Sequence, residues 1–169
     1  MDAPGTAHVA FGFASLTFGV VVFSLPKGTN AHRAAGALYV LSMFGLNVTA
    51  LVIYRVFGGF GAFHVLSLIN LALLLAGFGA VLLQWPHKTW LNYHYYFISW
   101  SYVGLVAATA TEITVRLVKW PLAFAVVAPT IAVTMLGGSL VQFLKRRTML
   151  RLASGLRSNK RMEPTRAGS

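Results

Sequence analysis

Apolar residues run along this chain in long blocks, with short polar turns between them and no strict alternation that would point to strands. The blocks cover about Ala7 to Leu25, His32 to Phe57, Ala62 to Trp85 and Leu91 to Val118, and a fifth opens at Trp120 and Pro121 and closes at Leu144. Each is about 20 residues or longer, the length at which a helix crosses a hydrocarbon core about 30 Å thick. The pattern predicts an all-α fold, a polytopic transmembrane helix bundle of about five spans.

The breaks are as informative as the blocks. Pro26, Lys27, Gly28, Thr29 and Asn30 make one turn, Gly58, Gly59, Phe60 and Gly61 the next, and Pro86, His87, Lys88 and Thr89 the third. Pro and Gly end helices and the polar residues need water, so these segments lie at the membrane surfaces. Turns this short make consecutive helices antiparallel neighbours. Pro121 suits a first helical position, whereas Pro129 lies inside the fifth helix and is expected to kink it. Trp90, Tyr93, Tyr95, Tyr96 and Trp100 crowd the start of the fourth span like an interfacial aromatic belt. The first block has no positively charged leading region and no small-residue cleavage site, so it is expected to persist as a helix.

After Leu144 the chain turns basic, with Lys145, Arg146, Arg147, Arg151, Arg157, Lys160, Arg161 and Arg166. The expected division is a bundle over 1–147 and a basic tail over 148–169, disordered or resting on the lipid surface. Composition agrees with a membrane protein: 57% of residues are hydrophobic and 10% charged. The net charge of +11 would suggest nucleic acid, but the Lys and Arg sit in short loops and the tail with no soluble domain around them, which argues against that partner. Their distribution sets orientation instead. Lys27, Arg33, Lys88 and the Lys145 cluster share one face and outnumber Arg55, Arg116 and Lys119 on the other, so the first face is expected to be cytoplasmic. The N-terminus then lies outside a bacterial inner membrane and the C-terminus inside. With no cysteine, thiol chemistry and Cys-ligated metals are excluded.

Four of the five histidines open spans: His8 the first, His32 the second, His64 the third and His94 the fourth. Alternating helix direction pairs His8 with His64 at the outer face and His32 with His94 at the inner one. Small residues follow on their helical stripes, including Gly12, Gly19, Gly36 and Gly104, and make room for close helix approach or for a flat macrocycle. The leading functional reading is two b-type haems, each clamped between imidazoles of alternate helices, with Tyr39, Tyr93, Phe97, Trp100 and Tyr102 as walls. Electrons would pass between an internal donor and an external acceptor, across irons about 25–30 Å apart. Bulky Phe97 and Ile98 on the turn after His94 crowd that arrangement. The alternatives are interfacial histidines without a ligand, a metal-ion or small-solute site built from His8, His64 and Glu112, and an accessory subunit without chemistry. Glu112 also precedes Arg116 by one helical turn, the order of a structural ion pair. Asn47 and Asn70 read as interhelical hydrogen-bond partners and His87 as a solvated turn residue. No nucleophile motif, phosphate loop or carboxylate pair supports hydrolase chemistry.

The run Pro26, Lys27, Gly28, Thr29, His32, Arg33, Gly36 and Tyr39, together with His8-Val9 and His94, resembles a bacterial family of predicted membrane proteins known as domain of unknown function 2306. The resemblance covers about His8 to Arg116. It implies a multi-span inner-membrane fold and no established activity. A looser similarity, a His followed four residues on by Gly, links the chain to four-histidine transmembrane b cytochromes of the ascorbate and ferric reductase type. That similarity implies His8, His32, His64 and His94 as haem ligands, although those proteins carry two histidines on each of two helices and this chain carries one on each of four.

Overall fold

The computed structural model describes residues 3–54 and 58–162, with side chains up to residue 146. Five helices follow one another: α1 (Ala3–Ser24), α2 (Asn30–Leu51), α3 (Ala62–Leu83), α4 (Trp90–Leu117) and α5 (Leu122–Met162), and the described residues hold no strand. Two boundaries differ from the sequence expectation. α2 stops at Leu51 instead of reaching Phe57, because Val52 and Ile53 donate to Thr49 and Ala50 in a tightened last turn. α5 continues to Met162, past the expected boundary at residue 147, as a helix already started in the span recruits the good helix formers Arg, Leu, Met and Lys. Residues 163–169, the end of the expected tail, lie outside the described residues, as does Arg55.

Helices α1 and α2 form one hairpin and α3 and α4 a second; α2 against α3 and α1 against α4 close the ring, and α5 lies on the outer side of α4. Four helices, α1, α2, α3 and the Leu122–Arg146 part of α5, are long and apolar enough to cross a membrane. α4 carries more polar residues because it needs less lipid-facing surface: it touches α1, α3 and α5 and buries Ser99, Ser101 and Thr111. Large apolar side chains such as Phe13, Leu41, Leu82 and Leu136 point outward instead, as expected where the solvent is acyl chain.

The centre is built from Tyr39, Met43, Leu74, Ile98 and Leu105. A hydrogen bond of 2.8 Å between Tyr39 Oη and Ser101 Oγ spans the diagonal from α2 to α4. Ser101 Oγ also donates to Ile98 O, so the Tyr39 hydroxyl is the donor to Ser101. The seam between α1 and α4 depends on Gly19, where the Tyr102 ring lies so close that an added Cβ would come within 2.1 Å of it. Tyr102 Oη then donates to Leu16 O at 3.3 Å, and its ring lies 5.3 Å from Phe23 and 6.2 Å from Tyr39. These contacts hold the ring against α1.

Gly19→Leu is therefore expected to open the α1–α4 seam and to cost about 1–3 kcal/mol. Thermal unfolding in detergent checks this, with Gly79→Leu as control, since nothing lies within 4 Å of a Cβ at Gly79. The control should leave the transition temperature in place.

Candidate functional site

The turn between α1 and α2 is made by the residues that stood out in the sequence. Lys27 Nζ donates to Val22 O at 3.0 Å and Phe23 O at 2.8 Å, capping the carbonyl end of α1 where the helix dipole favours a cation. Burial pushes this ammonium below its ordinary range. Gly28 turns the chain at φ +81°, a conformation that disfavours a side chain. Thr29 caps α2 by accepting from the His32 amide at 3.2 Å. His32 then sits one turn inside α2, with Nδ1 3.2 Å from Val22 O.

The second hairpin repeats this arrangement. His94 Nδ1 lies 3.0 Å from Gly77 O, so each imidazole reaches a backbone carbonyl of the preceding helix. His32 and His94, Tyr39 and Ser101, and Met43 and Leu105 are all separated by the same 62 residues; of these pairs Tyr39 and Ser101 meet across the diagonal, and Met43 and Leu105 share the central cluster. The partners around the histidines exchange size. In the first hairpin Gly36 faces the Val22 side chain, with Val22 Cγ2 3.7 Å from where a Gly36 Cβ would lie. In the second, Ile98 faces Gly77, whose Cβ would meet Ile98 Cγ1 at 2.9 Å. Large and small have changed helices while the fit is kept. Ile98 thus packs against Gly77 of α3 and also belongs to the central cluster with Tyr39 and Met43 of α2.

A carbonyl accepts only, so Nδ1 of His32 and of His94 carries the ring proton, and the neutral ring keeps its lone pair on Nε2. The two rings lie within electrostatic reach of each other. Arg33 and Lys88 are exposed on the same face. Of the expected aromatic walls, Tyr39 and Tyr102 face the interior, Tyr93 stacks on Phe97 along α4, and Trp100 turns to Gly138 of α5.

The opposite face is built differently. Thr49 Oγ1 donates to Gly45 O at 2.8 Å and Leu46 O at 2.9 Å, so it accepts from His8 Nδ1 at 3.1 Å, and His8 also keeps a lone pair on Nε2. His64 does not. Its Nδ1 accepts the Gly61 amide at 3.1 Å, which places the proton on Nε2. That ring is 2% exposed and stacks against Tyr54 and Phe60, with centroids at 4.7 and 5.0 Å. His64 is thus the cap of α3 and the anchor of the loop before it. Glu112 is paired with Arg116 within α4, the ion pair the sequence suggests, and both lie within electrostatic reach of His8. His8, His64 and Glu112 do not form a three-ligand centre: among the described residues no three His, Cys, Asp or Glu side chains are grouped to hold a metal ion. His87 is exposed in its turn.

A haem iron held by two imidazoles needs two Nε2 lone pairs on facing helices. His32 and His94 each leave an Nε2 lone pair free, and Arg33 and Lys88 are exposed a few residues from them in the chain. His8 with His64 does not fit, because His64 has no lone pair to give. The sequence reading missed an internal repeat: His8-Val9 recurs as His64-Val65, and Asn30-Ala31-His32 as Asn92-Tyr93-His94. The repeat identifies matched positions, while the hydrogen-bond partners decide which pair can bind.

If His64 is a cap, His64→Ala should lower stability by about 0.5–2 kcal/mol, whereas His87→Ala should leave it unchanged. Thermal unfolding of the detergent-purified variants, read by helical circular dichroism, checks both. No curated protein and no solved structure matches the chain. The family model described as Predicted membrane protein (DUF2306) matches residues 5–145, from the first turn of α1 to the basic end of the fifth span, and the chain belongs to that family.

Proposed function

We propose that this membrane protein binds one b-type haem between His32 and His94 at its basic face and serves there as an electron carrier. The observation that supports this reading is the matched tethering of the two rings, His32 to Val22 O and His94 to Gly77 O, which leaves both Nε2 lone pairs available on α2 and α4. Such carbonyl tethers fix the tautomer, hold the ring plane and raise the basicity of the free nitrogen. Arg33 and Lys88 supply positive charge at that face. Bound haem supplies a one-electron ferric–ferrous couple; the chain holds it, orients it and limits water around it. By the distribution of Lys and Arg the basic face is cytoplasmic in a bacterial inner membrane, with the N-terminus outside, so donor and acceptor both meet the protein from the cytoplasmic side or from within the bilayer. A single haem replaces the two-haem relay suggested by counting histidines.

Protein purified in detergent from haem-replete cells should show a Soret band and, when reduced, an α band, at one haem per chain. His32→Ala and His94→Ala should each abolish the bands; His8→Ala and His64→Ala should retain them. A colourless preparation, or bands lost only in the His8 and His64 variants, would reject the proposal.

A further inference from the structure

The carbonyls that hold His32 and His94 are not alike. Val22 sits in the last turn of α1, and the residue four further on is Pro26, which has no amide hydrogen to give back. The Val22 carbonyl is therefore left out of the helix ladder, and two side chains take its lone pairs: Lys27 Nζ at 3.0 Å and His32 Nδ1 at 3.2 Å. Gly77 lies in the body of α3, where the ladder continues to Val81. Among the described residues the one side chain bound to its carbonyl is His94, at 3.0 Å. One histidine thus shares its acceptor with an ammonium, the other with a neutral amide.

The ammonium is fixed where it stands. Lys27 Nζ also donates to Phe23 O at 2.8 Å and lies 5.7 Å from the centroid of the Phe23 ring, which packs at 5.3 Å on Tyr102 of α4. A charged donor binds a carbonyl about twice as strongly as a neutral one, and in doing so it draws electron density from the oxygen. What remains for His32 is a poorer acceptor, in line with its longer contact. Lys27 also places a positive charge within electrostatic reach of the His32 ring. Both effects act in one direction: a firm carbonyl tether raises the basicity of the free ring nitrogen, so a weakened tether beside a cation lowers it. The second hairpin has no counterpart, since Lys88 is exposed and does not reach Gly77 O.

We propose that Lys27 sets the two imidazoles unequal: by binding Val22 O it weakens the His32 tether and makes His32 Nε2 the poorer electron donor of the pair. Carried to the haem reading, on which this second step rests, Lys27 is a positioning residue that raises the reduction potential. A poorer axial donor and a nearby cation both favour the ferrous state.

Proton–nitrogen NMR of the full chain in lipid, with any bound haem kept reduced and so diamagnetic, reads both tethers whether or not haem is present. A stronger hydrogen bond deshields its proton, so the Nδ1 proton of His94 should resonate downfield of that of His32. Lys27→Met should move the His32 proton downfield and leave that of His94 in place, while Lys88→Met should move neither. A His32 proton at or downfield of the His94 proton in the unaltered protein would overturn the proposal, and so would a His32 proton that ignores Lys27→Met. In haem-loaded protein Lys27→Met should shift the ferric–ferrous balance toward ferric by about threefold to tenfold, which lowers the potential by about 30–60 mV. An unmoved potential in coloured protein would end the tuning role; a colourless preparation would end the haem reading alone and leave the proton shifts to decide on Lys27.

Discussion

Hydrocarbon offers no hydrogen bonds, and that single constraint explains where the polar side chains of this protein point. Several polar side chains within or beside the spans turn to a backbone group or to another side chain. Lys27 closes the carbonyl end of α1, His32 and His94 reach Val22 O and Gly77 O, Thr49 turns back on Gly45 O, and Tyr39 bridges to Ser101. These ties do more than hold helices together. A histidine that donates through Nδ1 keeps a ligand lone pair; one that accepts through Nδ1 has lost it. That choice of partner decides which histidines keep a lone pair to offer.

The two hairpins show how one plan tolerates different sequences. Matched positions recur along α2 and α4, yet Gly36 against Val22 becomes Ile98 against Gly77. Close packing conserves the summed volume at a contact and is indifferent to which helix supplies the bulk. The hairpins part company at their other ends. His8 reaches Thr49 of its own hairpin, whereas His64 is drawn into the loop before α3 by Gly61, Tyr54 and Phe60. α5 adds a further asymmetry by packing mainly against α4 among the described residues.

Much of the fold was legible in the sequence, because block length and turn composition respond to bilayer thickness and backbone solvation, which are coarse quantities. The helical spans follow from these. What was not legible depends on single contacts. Nothing in the run Gly61 to His64 announces that an amide will take Nδ1, and nothing around Ile98 announces that its side chain turns toward Gly77. Charge predicts solvation and not conformation, and α5 continues as helix to Met162. The repeat of His-Val and Asn-x-His was visible throughout and points to the equivalence that the contacts bear out on α2 and α4.

The claim on which the rest stands is the protonation pattern of the rings. Histidine 15N NMR on the protein in lipid, at a pH where the imidazoles are neutral, reads it directly. His32 and His94 should carry the proton on Nδ1 and leave Nε2 bare or metal-bound, and His64 should carry it on Nε2. A bare Nε2 on His64, or a protonated Nε2 on either His32 or His94, would contradict the account.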